Sequence, residues 1–191
     1  MIFVILTGFQ VQNPNQTPNL GNYKKTEFES RIYKFLNSYI KEYNGSDERF
    51  LDEQNEKVLE EKGFAAWEMI MTLESKNTFK NSSNQTVYQK VFFGFFEFKN
   101  SVLTQNALNN IMNCLGTDCA MIKWGNSDKS IKSTPMIYII NEKEIISCKI
   151  KCEHINANWD RLKMDLIKTF GKSGTRIVTV GCGGKPEFTT L

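Results

Sequence analysis

Five cysteines and a single histidine are the residues of this chain whose types and spacing can do chemistry. Cys114 and Cys119 lie in "NCLGTDCAMIKW", flanking a glycine turn. Cys148 and Cys152 follow in "ISCKIKCEHI", and Cys182 stands in "GCGG". Such thiols can form disulfides, ligate a metal, act as nucleophiles or pack as small hydrophobes. Strand geometry narrows one pair. In a regular strand Cys148 and Cys152 point to the same face but sit roughly 13 Å apart. A disulfide needs its Cα atoms within about 7 Å, so this pair neither bridges to itself nor shares one metal. Cys114 and Cys119 differ, because the chain turns at Leu115-Gly116 and can bring them together. They are disulfide candidates and also half of a conceivable metal site. A zinc site would need two more ligands from Cys148, Cys152, His154 or Cys182, and the spacing lacks the short knuckles of zinc ribbons. No metal or other cofactor is assigned. An odd cysteine count leaves at least one thiol free unless it pairs between chains.

His154 lies in "KCEHINANW", at a strand-to-helix turn. With Cys182 or Cys114 as nucleophile, and Glu153 or Asp160 orienting the ring, it could serve a hydrolase or transferase. Nothing in the sequence joins these groups, so His154 and Cys182 are the catalytic candidates of an alternative reading only. "VGCGGKPEF" follows a strand but cannot form a phosphate cradle, which needs a helix after the glycines, where Pro186 stands. Among the carboxylates, Glu68 and Glu74 fall on a solvated face, and Glu97 is the one expected to be part-buried. Lysines are frequent in the C-terminal half, with Lys149 and Lys151 expected as an exposed stripe on the strand face opposite the cysteines. Aromatics are not interleaved with them and the net charge is only +3, so a nucleic-acid partner is not indicated.

The elements that must position these groups follow from periodicity. Apolar residues at Phe28, Ile32, Phe35, Leu36, Tyr39, Ile40 and Tyr43 predict a helix from Thr26 that stops at Asn44-Gly45. Ser46 caps a second helix running towards Glu61. Alternation of Trp67, Met69, Met71 and Leu73 predicts a strand, followed by a polar loop, "KNTFKNSSNQT". "VYQKVFFGFFEF" is apolar on both faces by its second half, the pattern of a central strand covered on both sides. Gly94 within it marks a bulge or a close backbone approach. A helix carries Leu103, Ala107, Leu108, Ile111, Met112 and Leu115. "CAMIKW" reads as a short strand, "PMIYII" and "IISCKIKC" as a hairpin, Trp159 to Phe170 as a helix ended by Gly171, and "TRIVTV" as a last strand.

The expectation is therefore an α+β fold: a single domain over 23–191, with a largely antiparallel sheet of about 5–6 strands packed with 3–4 helices. Its 14 phenylalanines allow a large core. Residues 1–22 read as a signal remnant or flexible N-terminal segment. The apolar run Met1 to Phe9 is shorter than the about 20 residues a membrane span needs, and it lacks a basic n-region. An edge strand is the other reading of that run. Four Asn-X-Ser/Thr sequons begin at Asn15, Asn44, Asn81 and Asn84 and permit secretion.

The stretch "KSTPMIYIINEKEIISCKI" resembles a thioredoxin-like segment, with a proline before a strand, a tight turn, a returning strand and then a helix. The resemblance implies "KVFFGFFEF" as the central strand and the following helix as the redox helix. Where C-x-x-C belongs the chain has "FKNSV", so a thioredoxin-like domain here would be degenerate and without thiol exchange. A cis peptide at Thr134-Pro135 would favour it and a trans one would count against it. Taken together, these features point first to a non-catalytic binding or interaction domain, secreted or periplasmic, with a cytoplasmic location as the alternative. Its partner would be an unknown protein or a small apolar ligand held by Trp67, Met69, Phe93, Phe95 and Glu97. Side chains of these types can equally fill a core.

Overall fold

The computed structural model describes residues 26–46 and 65–191, apart from Ser82, Asp118 and Ser127. The expected N-terminal segment, residues 47–61 of the helix expected after Ser46, and the Asn15 sequon lie outside the described residues.

The first helix, α1 (Glu27–Tyr39), starts at a capping box. Thr26 Oγ1 accepts the Glu29 N–H at 3.1 Å, and Glu29 Oε2 accepts the Thr26 N–H at 2.8 Å. Two otherwise unpaired amides are thereby satisfied. The helix ends four residues before the expected stop. Tyr43–Ser46 instead forms a short strand, β1, paired with the next strand. The Lys76 ammonium donates to the Ile40 carbonyl at 2.7 Å, closing the end of the helix. Tyr43 meets the core as a strand residue just as it would have as a helical one, so periodicity alone extended the helix too far.

Strands β2 (Trp67–Lys80) and β3 (Thr86–Glu97) form a long hairpin. Most of the expected polar loop is strand. A bulge between Glu74 and Thr78 interrupts the ladder, and the Ser75 hydroxyl bridges it by donating to the Asn77 carbonyl and accepting the Gln89 N–H. Beyond the bulge the ribbon is mostly solvated, so its polar residues carried no strand signal. Helix α2 (Ser101–Asn113) follows, capped by Asn100. Next come the hairpin β4 (Met136–Ile140) and β5 (Glu144–Ile150), a short 3-10 turn at Cys152–His154 and helix α3 (Ala157–Phe170). The hairpin β6 (Arg176–Val180) and β7 (Glu187–Thr190) ends the chain. Strand β7 carries no strand pattern in the sequence, because Phe188 is its one large apolar residue.

The strand order is β1-β2-β3-β5-β4-β6-β7 in one sheet of seven, with every neighbouring pair antiparallel. The fold is thus α+β and antiparallel, as expected, with more strands than expected. The Thr134-Pro135 peptide is trans, the outcome that counts against the thioredoxin-like reading. "CAMIKW" forms no strand. Leu115 and Ala120 make a single bridge around a tight reversal, and Cys119 adopts φ 49°, outside strand geometry.

Two apolar layers enclose the sheet. On one face α1 and α3 lay Phe28, Ile32, Phe35, Trp159, Leu166 and Phe170 over Phe93, Phe95, Ile139, Ile146 and Cys148. On the other, α2 and the segment after it lay Leu108, Ile111, Leu115, Ile122 and Ile131 over Phe96, Tyr138, Ile140, Ile145 and Val178. Coverage of this second face also overturns the exposed lysine stripe. Lys149 is 1% exposed, its ammonium 5.6 Å from the centre of the Tyr138 ring, whereas Lys151 is exposed.

Phe95 is fully enclosed, stacked on Phe93 and tilted against Phe170. Phe95→Ala should cost about 3–5 kcal/mol of stability, because the cavity adds to the lost transfer energy. Val102→Ala, at an exposed position of α2, should stay within about 0.5 kcal/mol. Denaturant unfolding of the two variants checks the contrast.

Candidate functional site

Four of the five cysteines are paired at disulfide distance. Cys114 joins Cys119, closing the turn that leaves α2. Cys152 joins Cys182, with Cα atoms 5.6 Å apart, and ties the 3-10 turn after β5 to the β6–β7 loop. The second pair escaped sequence reasoning because its partners are 30 positions apart and only the sheet brings them together. Cys148 and Cys152 do not meet. Cys148 is in neither disulfide and is fully buried beside Phe93 and Ile137. Among the described residues no group of three or more His, Cys, Asp or Glu side chains could hold a metal ion.

The catalytic candidates are therefore not assembled into a nucleophile and base. The Cys182 sulfur is bonded to Cys152, so it offers no thiolate while that bond is intact. His154 Nδ1 accepts the Lys90 backbone N–H at 3.2 Å, which puts the neutral ring's proton on Nε2. The His154 carbonyl and the Asn156 side chain both accept from Gln89 Nε2, at 3.1 and 2.8 Å, and Gln89 Oε1 accepts the Tyr43 hydroxyl. These bonds tie β1, β3 and the start of α3 together. Burial lowers the His154 pKa, with Lys151 and Lys90 pushing the same way, while Glu153 opposes it.

The ligand-pocket candidates sit where the core reading places them. Phe93 and Phe95 are buried, and Trp67 and Met69 pack against the same cluster. Glu97 ends β3, paired in register with Trp67 and Glu144. It is part-buried as expected, but it is not alone: Glu74 and Glu144 are part-buried too, and Glu29 is 3% exposed. Burial raises the Glu97 pKa, and the nearby Glu144 and Glu29 raise it further against Arg31 and Lys143. The Arg31 guanidinium pairs with Glu144 and lies over the Phe28 and Phe170 rings, 5.5 and 5.6 Å from their centres. Of the sequons, Asn81 is nearly buried and its Oδ1 accepts the Ser83 and Gln85 amides, whereas Asn44 and Asn84 are exposed.

A cleft of about 280 Å³ opens between the start of α2, the β4–β5 turn and the α3–β6 loop. Asn141 builds it. Its Nδ2 donates to Glu144 Oε2 at 2.9 Å and to the Phe170 carbonyl at 3.0 Å, and its Oδ1 accepts the Thr175 hydroxyl. Thr175 Oγ1 in turn accepts the Lys172 N–H at 2.8 Å. The turn, the end of α3 and the loop are thus fixed to one another. Arg176 lines the cleft from the start of β6, its Nη1 donating to Gln105 Oε1 at 2.9 Å. Its guanidinium lies 5.4 Å from the centre of the Trp124 ring, which packs against Phe188 at 5.0 Å. Burial lowers the Arg176 pKa.

Trp124 belongs to the second feature, the irregular segment 114–135 that joins α2 to β4. Its start is closed by the Cys114–Cys119 bond. The Ile122 N–H donates to the Met112 carbonyl at 2.9 Å, and the Thr117 N–H to the Lys132 carbonyl at 2.8 Å. Gly116 permits that last approach, since a Cβ there would lie 2.5 Å from the Lys132 oxygen and its φ is 79°. The far end is laced to the loop holding Cys182. Ile131 N–H donates to the Gly184 carbonyl, Gly183 N–H to the Ser133 carbonyl, and the Ser133 hydroxyl to the Gly181 carbonyl. Ile122 and Ile131 are buried anchors, and Met121 stands 79% exposed between the fixed points. Sequence reading missed Arg176, Trp124 and Met121 as a group. The length of chain without periodicity between α2 and "PMIYII" was the one available signal.

No family model, no curated protein and no solved structure matches this chain. What the site can do rests on its own geometry.

The depressed pKa of His154 gives a pH test. The unfolded chain takes up its proton near pH 6.5, and the folded chain only at lower pH. The contribution to stability is complete above that value and is lost as pH falls through the folded pKa. Wild type should therefore lose more stability than His154→Gln between roughly pH 7.5 and pH 5.5. Unfolding midpoints of the two proteins across this range check it, and equal losses would place no burial cost on the imidazolium.

Proposed function

We propose that this chain is a non-catalytic interaction domain, secreted or periplasmic, that meets a protein partner through the segment 114–135. The observation that carries the reading is the fixing of that segment. It has no regular secondary structure, yet it is tied by one disulfide at its start and laced to the loop of the other. Ordering such a length of chain is costly in entropy, and long irregular segments that stay ordered in compact domains are usually binding elements. Two buried isoleucines hold it down while Met121 is displayed. Methionine is a flexible, polarisable contact suited to a protein surface.

Two disulfides fit an oxidising compartment. No helix of the described residues is long and apolar enough to cross a membrane. The core packing of Trp67, Met69, Phe93 and Phe95 favours a protein partner over a small apolar ligand.

Two measurements test this reading. Chain recovered from its native compartment and alkylated without reductant should expose one thiol, Cys148, and that only on unfolding. Reduction should release the other four. Several thiols free without reductant would remove the argument for an oxidising compartment. The oxidised chain, immobilised and passed over the extracytoplasmic fraction of its native cells, should retain a partner that binds Met121→Ser at least about tenfold more weakly, a loss of about 1.4 kcal/mol. Equal retention by both baits would place the interaction elsewhere.

A further inference from the structure

The cleft beside Arg176 shares Trp124 with the 114–135 segment but carries an inference that does not depend on the partner proposed for that segment. Three arginines lie among the described residues, at positions 31, 161 and 176. Arg31 pairs with Glu144 and Arg161 with Glu42. Arg176 is held by neutral groups alone, the Gln105 amide oxygen and the face of Trp124. A partly desolvated guanidinium without a carboxylate loses hydration that nothing negative restores. The arrangement is also set in advance. Gln105 Nε2 donates to Asn109 Oδ1 at 2.8 Å, one turn along α2, which fixes the amide with its oxygen towards Arg176. Phe188 packs against Trp124 in turn. Clamped on two sides, the guanidinium keeps most of its N–H donors available in a planar fork, the geometry that matches an oxyanion.

We propose that this cleft binds a single small oxyanion group, a carboxylate, sulfate or phosphate, with Arg176 as its principal donor. Lys172 lines the same cleft and adds a second positive charge, and the hydroxyls of Ser101 and Ser173 are polar groups within it. Glu142 is the opposing charge on the β4–β5 turn, so the charged lining is two cations against one anion. That balance suits one oxyanion group rather than a polyanion, which agrees with the weak net charge of the chain. A volume of about 280 Å³ is at the small end of ligand sites, enough for such a group and a short attachment.

The test is a set of NMR titrations on the oxidised full chain, with acetate, sulfate and inorganic phosphate added separately at constant ionic strength. Saturable shifts are expected at the backbone amides of residues 101–105 and 172–176. Arg176→Gln should weaken binding at least about tenfold, Arg176→Lys less, and Glu142→Gln should tighten it a few-fold. Lys185→Gln, outside the cleft, should leave it unchanged. Saturation by acetate alone identifies a carboxylate ligand, and saturation by sulfate and phosphate a tetrahedral oxyanion. Shifts that never saturate, spread over surface lysines, or survive in both Arg176 variants would mean an adventitious ion only and would overturn the proposal.

Discussion

The pairing of β3 with β5 is the constraint on which the rest of the molecule depends. Both strands are buried on both faces, so side-chain polarity does little to choose their register. Slipping one residue would exchange Phe93 and Phe95 for Phe92 and Phe96 and still bury aromatic rings. Shape makes the choice instead. Gly94 stands opposite Ser147, where a Cβ would lie 2.6 Å from the serine Oγ and 2.7 Å from the Phe96 ring. Only a glycine admits both neighbours. This match fixes which phenylalanines meet α1 and α3 and which meet the layer under α2. It also sets the pairing of β4 and β6 further along the sheet, because each register is built on the one before it.

From that centre the polar interior follows as a set of ties between elements. Gln89 joins β1, β3 and the approach to α3, and Asn141 joins the β4–β5 turn to the end of α3 and the loop before β6. In both cases a buried amide uses its donors and its acceptor on groups from separate elements. Buried polar groups used this way add orientation more than net stability. His154 belongs to the first of these ties, and its role as an acceptor for Lys90 explains a histidine at this turn without any chemistry.

Much of this fold was legible because its elements obey simple periods. Helix α3 shows Trp159, Leu162, Leu166 and Phe170 at helical spacing, and Gly171 ends it in both sequence and structure. The β4–β5 hairpin and the doubly buried β3 were equally plain. What escaped was whatever long-range contact decides. Tyr43 satisfies a helical face and a strand face alike, so only its pairing with Ser75 across β2 reveals a strand. The outer half of the β2–β3 ribbon is polar because water surrounds it. Met121 to Trp124 looked like strand because Ile122 is an anchor, whereas the reversal at Cys119 is set by its bond to Cys114. The cysteines were half legible, since a local pair follows from a turn and a distant pair needs the whole topology. Arg176, Gln105 and Trp124 come from β6, α2 and an irregular segment, and no spacing rule links them.

The distribution of covered and open surface then decides where recognition can occur. Helices α1 and α3 close one face of the sheet, and α2 with the segment after it covers the β4 and β5 region of the other. Across that region no strand face is left for a ligand, and the aromatic residues that would line an apolar pocket are already packed on one another. The features left open for binding lie at loops and ends. Both that stand out, the laced segment and the polar cleft, share Trp124, which leaves the segment to lie against Arg176. The pair of disulfides borders this same region, with Cys119 in the segment and Cys182 in the loop it is laced to. Covalent ties are thus concentrated at the irregular connections on this side of the sheet, as expected if this side must keep its shape without a ladder of strand or helix bonds.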